Sequence, residues 1–111
     1  MSRTVTPTHL KIWLDIGDAV ELTNAATGLT ARVVLADTVA GHSARLKVDG
    51  GIGVWVREFD RRHLGDLAAM DVSFFCERAS EQRARFMLTV PQHIRVVHRP
   101  AVKQALKGGV A

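Results

Sequence analysis

Apolar and polar residues alternate along most of this chain with a period of two, the signature of strands with one buried face. "HLKIWLD" places Leu10, Ile12 and Leu14 on one face, and "DAVELT" pairs Val20 with Leu22. "LTARVVLA", "SARLKVD" and "VWVRE" continue the pattern, and "DVSFFCER" aligns Val72, Phe74 and Cys76. "RARFMLTV" and "IRVVHR" close the series. "NAATG", where Gly28 can take positive φ, and "DTVAGH" read as turns, and "GGIG" as a plain loop. Asp60 to Met70 reads as a short helix or an irregular crossover. Pro100 suits the first turn of a helix, "PAVKQALK", ended by Gly108 and Gly109. The expected fold is mainly β: a small antiparallel, split β-barrel of six or seven strands with a short C-terminal helix. Residues 1–9 are expected to be a flexible N-terminus, 10–99 the barrel, and 100–111 the short helix and a flexible tail. The expected core is Val20, Leu22, Val33, Leu35, Leu46, Val48, Val72, Phe74, Phe86, Leu88, Ile94 and Val96.

One phrase recurs. "TARVVL", "SARLKV" and "RARFML" each run small residue, Arg, apolar, any, apolar. On a strand this turns Ala and the two apolar residues inward and sends Arg32, Arg45 and Arg85 outward. The last two strands flank Pro91 and are expected to form a hairpin. Facing alternation then sets Phe86 opposite Val96 and Leu88 opposite Ile94, around a loop of Val90, Pro91 and Gln92. Its outward face collects Arg83, Arg85, Arg95 and Arg99, with Lys103 and Lys107 beyond.

Charge sharpens that edge. Residues 1–77 hold eight Lys/Arg and ten Asp/Glu, a balance of −2; residues 78–111 hold seven Lys/Arg and only Glu81, a balance of +6. The asymmetry points to an anionic partner for the C-terminal part: an acidic protein surface, a nucleotide, or RNA in the alternative. A solvated basic face would have the same composition. The chain has 111 residues, 47% of them hydrophobic, enough for one domain with a core. No apolar run approaches the roughly 20 residues of a membrane helix, so no membrane partner is expected. "MSRTVTPTHLK" has no apolar signal core, and the single cysteine, Cys76, suits a reducing compartment; a cytoplasmic location is expected. A homodimer stays open.

Catalytic chemistry finds no support in these residues. No serine sits in a nucleophile elbow, and "GGIG" lacks the Lys-Ser/Thr of a phosphate loop. Cys76 falls on the apolar face of its strand and reads as a buried thiol. His93 and His98 point to opposite faces, so no shared metal is expected. Trp13 and Trp55 are different. Each sits out of phase with the apolar residues beside it, sharing a face with Lys11 or Arg57, and could cap the barrel or anchor a partner.

The stretches "IGDAVELTNAATGLTARVVLADTVAGHSARLKVDGG" and "LAAMDVSFFCERASEQRARFMLTVPQHIRVVHR" resemble the N-terminal domain of the flagellar brake (YcgR) family. There a small split barrel precedes a PilZ domain that binds cyclic di-GMP. The likeness covers residues 16–99. Arg95-Val-Val-His-Arg99 is similar to the R-x-x-x-R motif that opens the PilZ domain. The second motif, D-x-S-x-x-G, is represented only by "DVSFFC" ahead of the arginines, with Cys76 in place of glycine. The resemblance therefore implies a non-enzymatic adaptor barrel in cyclic-di-GMP or motility signalling, with no cofactor required and cyclic di-GMP as the nucleotide if one is bound. The stretch from Glu58 to Val102 is also similar to the small RNA-binding carbon storage regulators (CsrA). That likeness rests on Arg61, Arg62, Arg85, Pro91, His98 and Arg99, with Met87 where the family has glycine. It implies an RNA-binding post-transcriptional regulator.

Overall fold

The computed structural model describes residues 8–51, 53–63, 72–91 and 93–101. Among them are nine strands: β1 (Thr8–Asp15), β2 (Ala19–Asn24), β3 (Thr30–Val39), β4 (Ser43–Val48), β5 (Gly53–Arg57), β6 (Arg61–His63), β7 (Ser73–Ala79), β8 (Arg83–Val90) and β9 (Ile94–Arg99). All pair antiparallel, in two sheets of order β1-β8-β7-β6 and β5-β4-β3-β2-β9. The mainly β, antiparallel architecture is as the alternation predicts. The sheets do not close into a barrel, and there are nine strands where six or seven were expected. Of the stretch Asp60–Met70, expected as a short helix or an irregular crossover, Arg61–His63 is a strand, because Arg61 and Arg62 pair with Phe75 and Phe74 on β7; residues 64–70 lie outside the described residues. β1 begins at Thr8, inside the expected flexible N-terminus. Of the expected C-terminal helix only Pro100 and Ala101 are described, and neither is helical; the rest lies outside the described residues.

The main correction concerns β8 and β9, which do not pair. β8 is flanked on one side by β1 (Leu10↔Leu88, Ile12↔Phe86, Leu14↔Ala84) and on the other by β7 (Phe74↔Leu88, Cys76↔Phe86). β9 pairs with β2 in the other sheet (Leu22↔Val96, Asn24↔Ile94). Alternation demands only that Phe86, Leu88, Ile94 and Val96 face the core. That demand is met as well when two strands face each other across a core as when they lie side by side. Pro91, which has no N–H to donate, marks the crossing; its carbonyl accepts from Ile94 N at 3.1 Å, and Ala25 N donates to His93 O at 3.0 Å.

Between the sheets lies one core. Ten of the twelve expected core residues are buried, while Val48 and Val96 are half-buried and pack against it. Phe74 and Phe86 meet edge to face, centroids 6.0 Å apart. The alanines that precede the arginines, Ala31, Ala44 and Ala84, are buried as the recurring phrase requires. The β4–β5 hairpin turns at Asp49 and Gly50, whose φ values of 51° and 76° suit a tight hairpin turn.

Asp18 ties the end of β9 to the β1–β2 turn. The carboxylate is buried, accepts from Asp15 N at 2.9 Å and Ala101 N at 2.7 Å, and faces His98 Nε2 at 3.5 Å. Burial pushes this carboxyl up, but the bonds from Ala101 and Asp15, with the His98 ring, outweigh it and hold it below its ordinary 3.8. A depressed carboxylate stabilises the fold above its unfolded-state pKa, and that contribution is lost as pH falls through the lower folded value. Asp18→Asn is therefore expected to lower stability at neutral pH by roughly 1–3 kcal/mol. Resistance of the wild type to urea should weaken on acidification below about pH 4, and the variant should lack part of that dependence.

Candidate binding surface

The two sheets turn their outer faces apart, so the expected basic edge does not exist as one surface. Arg83 and Arg85 stand on the outer face of β8, and Arg95 and Arg99 on the outer face of β9 in the other sheet. Lys103 and Lys107 lie outside the described residues. Nor are the arginines uncompensated. Arg83 Nε lies 3.3 Å from Asp15, and Arg99 Nε donates to Glu21 at 3.0 Å. Glu21 also meets Arg32 at 3.5 Å, so one carboxylate serves cations on both neighbouring strands. Arg85 Nε and Glu77 Oε1 face each other at 2.9 Å, both sealed from solvent but off the hydrogen-bond angle, which makes the contact ionic more than directional. Arg95 alone of the four has no ion-pair partner among the described residues.

Trp13 shares its outward face with Lys11, as its phase predicts, but it is half-buried. Arg83 stacks 4.5 Å and Arg85 5.3 Å from its ring centroid. These cation–π contacts use the ring inside the molecule, where it joins β1 to β8.

Trp55 is on the other sheet and is 42% exposed, on the same outward face as Arg57. It lines a shallow groove of about 540 Å³ with Val39, His42, Ser43 and Arg57. Val39 is also exposed, and past the end of β5 stands Phe59, the most exposed large apolar residue described, at 75%. Phe59 has φ of 65°, which is uncommon for any residue with a β-carbon and costs roughly 1–2 kcal/mol. Its neighbours hold it there. Glu58 N donates to His42 O at 2.8 Å, Phe59 N to Cys76 O at 2.7 Å, and Cys76 N to Asp60 O at 3.1 Å. Glu58 Oε2 accepts from Ala79 N at 2.7 Å. The chain crosses from β5 to β6 here, and these bonds fix its path at every step. Sequence reading missed Phe59, since a lone aromatic in "REFDRR" has no periodic partner to set its direction.

Around this patch the carboxylates are engaged and the cations are free. Glu58 is bound to Ala79 N, Asp60 accepts from Arg61 N at 2.9 Å, and Glu77 faces Arg85. Arg45, Lys47, Arg57 and Arg78 have no ion-pair partner among the described residues. Asp37 stands opposite Arg45 in the β3–β4 register, but its Oδ1 accepts from Thr38 N at 2.9 Å.

Nucleophilic chemistry is poorly served. Burial first, then the charge of Glu58, pushes the Cys76 thiol up to about 11 against a bond from the Arg78 backbone, so it stays protonated and inert. His42 Nδ1 lies 2.8 Å from Ser43 Oγ, but Ser43 is buried and no carboxylate orients the His42 ring among the described residues. Nor do the described residues hold a group of three metal-ligating side chains.

No protein-family model, curated protein or solved structure matches this chain.

Because the Phe59 ring packs on little and its backbone is strained, Phe59→Gly is expected to leave stability unchanged or raise it by up to about 1 kcal/mol. Chemical denaturation checks this; a loss beyond 1 kcal/mol would mean that the ring supports the fold.

Proposed function

We propose that this chain is a non-enzymatic regulatory binding module, an adaptor of the kind that its resemblance to the flagellar brake family implies. Its contact with an anionic partner lies at the Trp55–Phe59 end of the β5 sheet, with Arg57 and Arg78 supplying charge. The observation that carries this reading is Phe59. The backbone there is held at positive φ by hydrogen bonds to both sheets, and the bulky ring it presents is left three-quarters exposed, with little inside the molecule to pack on. Arg57 lines a hollow with Phe59 and the neighbouring groove with Trp55, and Trp and Arg are residue types that dominate binding hot spots. The paired arginines of β8 and β9 count for less here, because their charges already have carboxylates to meet.

The test is a pull-down from the native host with wild type and with Trp55→Ser/Phe59→Gly. The variant is expected to keep its fold and lose a defined protein partner that the wild type retains. An unchanged set of partners would overturn the reading. Cyclic di-GMP titrated calorimetrically is the second arm. Arg99 is held by Glu21 and the second nucleotide motif is incomplete, so no saturable heat is expected. Saturable binding that disappears in Arg95→Ala/Arg99→Ala would replace the adaptor with a nucleotide sensor.

A further inference from the structure

β5 is an edge strand: among the described residues it pairs with β4 alone. The phase of that ladder is known, because Glu58 N bonds His42 O and the register continues as Val56↔Ala44 and Val54↔Leu46. Antiparallel strands alternate residues that bond inward with residues that bond outward. Val54 and Val56 therefore turn their N–H and C=O groups to β4. Gly53, Trp55 and Arg57 turn theirs to the open side. The Arg57 carbonyl bends away to accept Asp60 N at 3.1 Å, which leaves Trp55 and Gly53 as the centre of the free edge.

The charged side chains of β4 and β5 are all cationic. Arg45 lies across Gly53: a β-carbon there would stand only 2.8 Å from Arg45 Cγ and 2.9 Å from Cδ. The glycine thus makes room for a guanidinium directed over β5. Arg57 and Lys47 share its outward face, and none of the three has an ion-pair partner among the described residues. A second copy of this chain docked on the same edge would set these cations against their own kind, which opposes pairing.

Resting on the binding-module reading above, we propose that the partner is an extended acidic segment of another protein that adds to the free edge of β5 as a sixth strand of that sheet. Main-chain groups of Gly53, Trp55 and Arg57 would continue the ladder. Alternate Asp or Glu side chains of the segment would meet Arg45, Lys47 and Arg57. An apolar side chain would settle in the groove between Val39 and Trp55. Like charge along the exposed edge would at the same time oppose pairing of β5 with a second copy.

The test selects random short peptides on phage against the full chain and resynthesises the enriched ones. Acidic residues at alternate positions are expected, without proline between them. Affinity should fall by roughly tenfold or more in Arg45→Glu/Arg57→Glu, and by a similar factor when alternate peptide amides are N-methylated. Amide exchange at Trp55 and Arg57 should slow in the complex. Full-strength binding by the N-methylated peptide would overturn strand addition and leave the side-chain patch standing. Binding that survives Trp55→Ser/Phe59→Gly would overturn both. Enrichment of neutral or basic peptides, no enrichment, or displacement of the peptide by single-stranded oligouridine at Trp55 would overturn the acidic strand.

Discussion

The backbone crossing from β5 to β6 is the constraint on which the rest of this molecule turns. Two open sheets packed on one apolar core need ties at their margins, or they slide. At this margin the tie is made by Glu58, whose N–H donates to His42 and whose carboxylate accepts from Ala79 N, and by Phe59 and Asp60, which bond on either side of Cys76. With both flanks clamped, Phe59 has no freedom to leave the left-handed region. The ring is therefore delivered to solvent by the hydrogen bonds that join the sheets. At the opposite margin Asp18 does the equivalent work with Asp15, Ala101 and His98, in this case by burying a carboxylate among donors.

Charge is organised around these ties. On each outer face one glutamate meets two cations: Glu21 on β2 meets Arg32 and Arg99 from the strands on its two sides, and Glu77 on β7 meets Arg85 on neighbouring β8 and Lys11 on β1 beyond it. The solvent-exposed members of these sets contribute little individually to stability. Their arrangement matters more for what remains. Once Glu21, Glu77, Glu58 and Asp60 are engaged, Arg45, Lys47, Arg57 and Arg78, on β4, β5 and the bulged end of β7, are left without an ion-pair partner among the described residues. The β7 bulge, where the register shifts between Cys76 and Arg78, contributes by inserting Glu77 beside Arg85. An edge lined this way resists aggregation and, by the same electrostatics, favours an acidic segment.

Much of this was legible in the chain. The period of two located nearly every strand, and it assigned the inward faces well enough that Leu14, Val33, Phe74, Phe86 and Leu88 are all fully buried where it places them. It also set Trp55 beside Arg57 on an outward face. What it could not decide was partnership. Inward-facing residues on β8 and β9 satisfy the same pattern whether the strands are neighbours or face each other across the core. Strand partners such as Ile12 and Phe86 join segments far apart in sequence. Hence four arginines that look like one edge in the sequence belong to two faces.

Local chemistry is a property of neighbouring residues, so composition and alternation determined strand content, core membership and the excess of basic side chains. Compensation of charge and exposure of a single ring are properties of distant residues brought together. Glu21 reaches Arg99, Arg83 and Arg85 close on Trp13, and His42 and Cys76 fix the backbone on either side of Phe59. Those outcomes depend on which strands pair and on where the chain crosses between sheets, which the burial of the whole core selects and no short segment encodes.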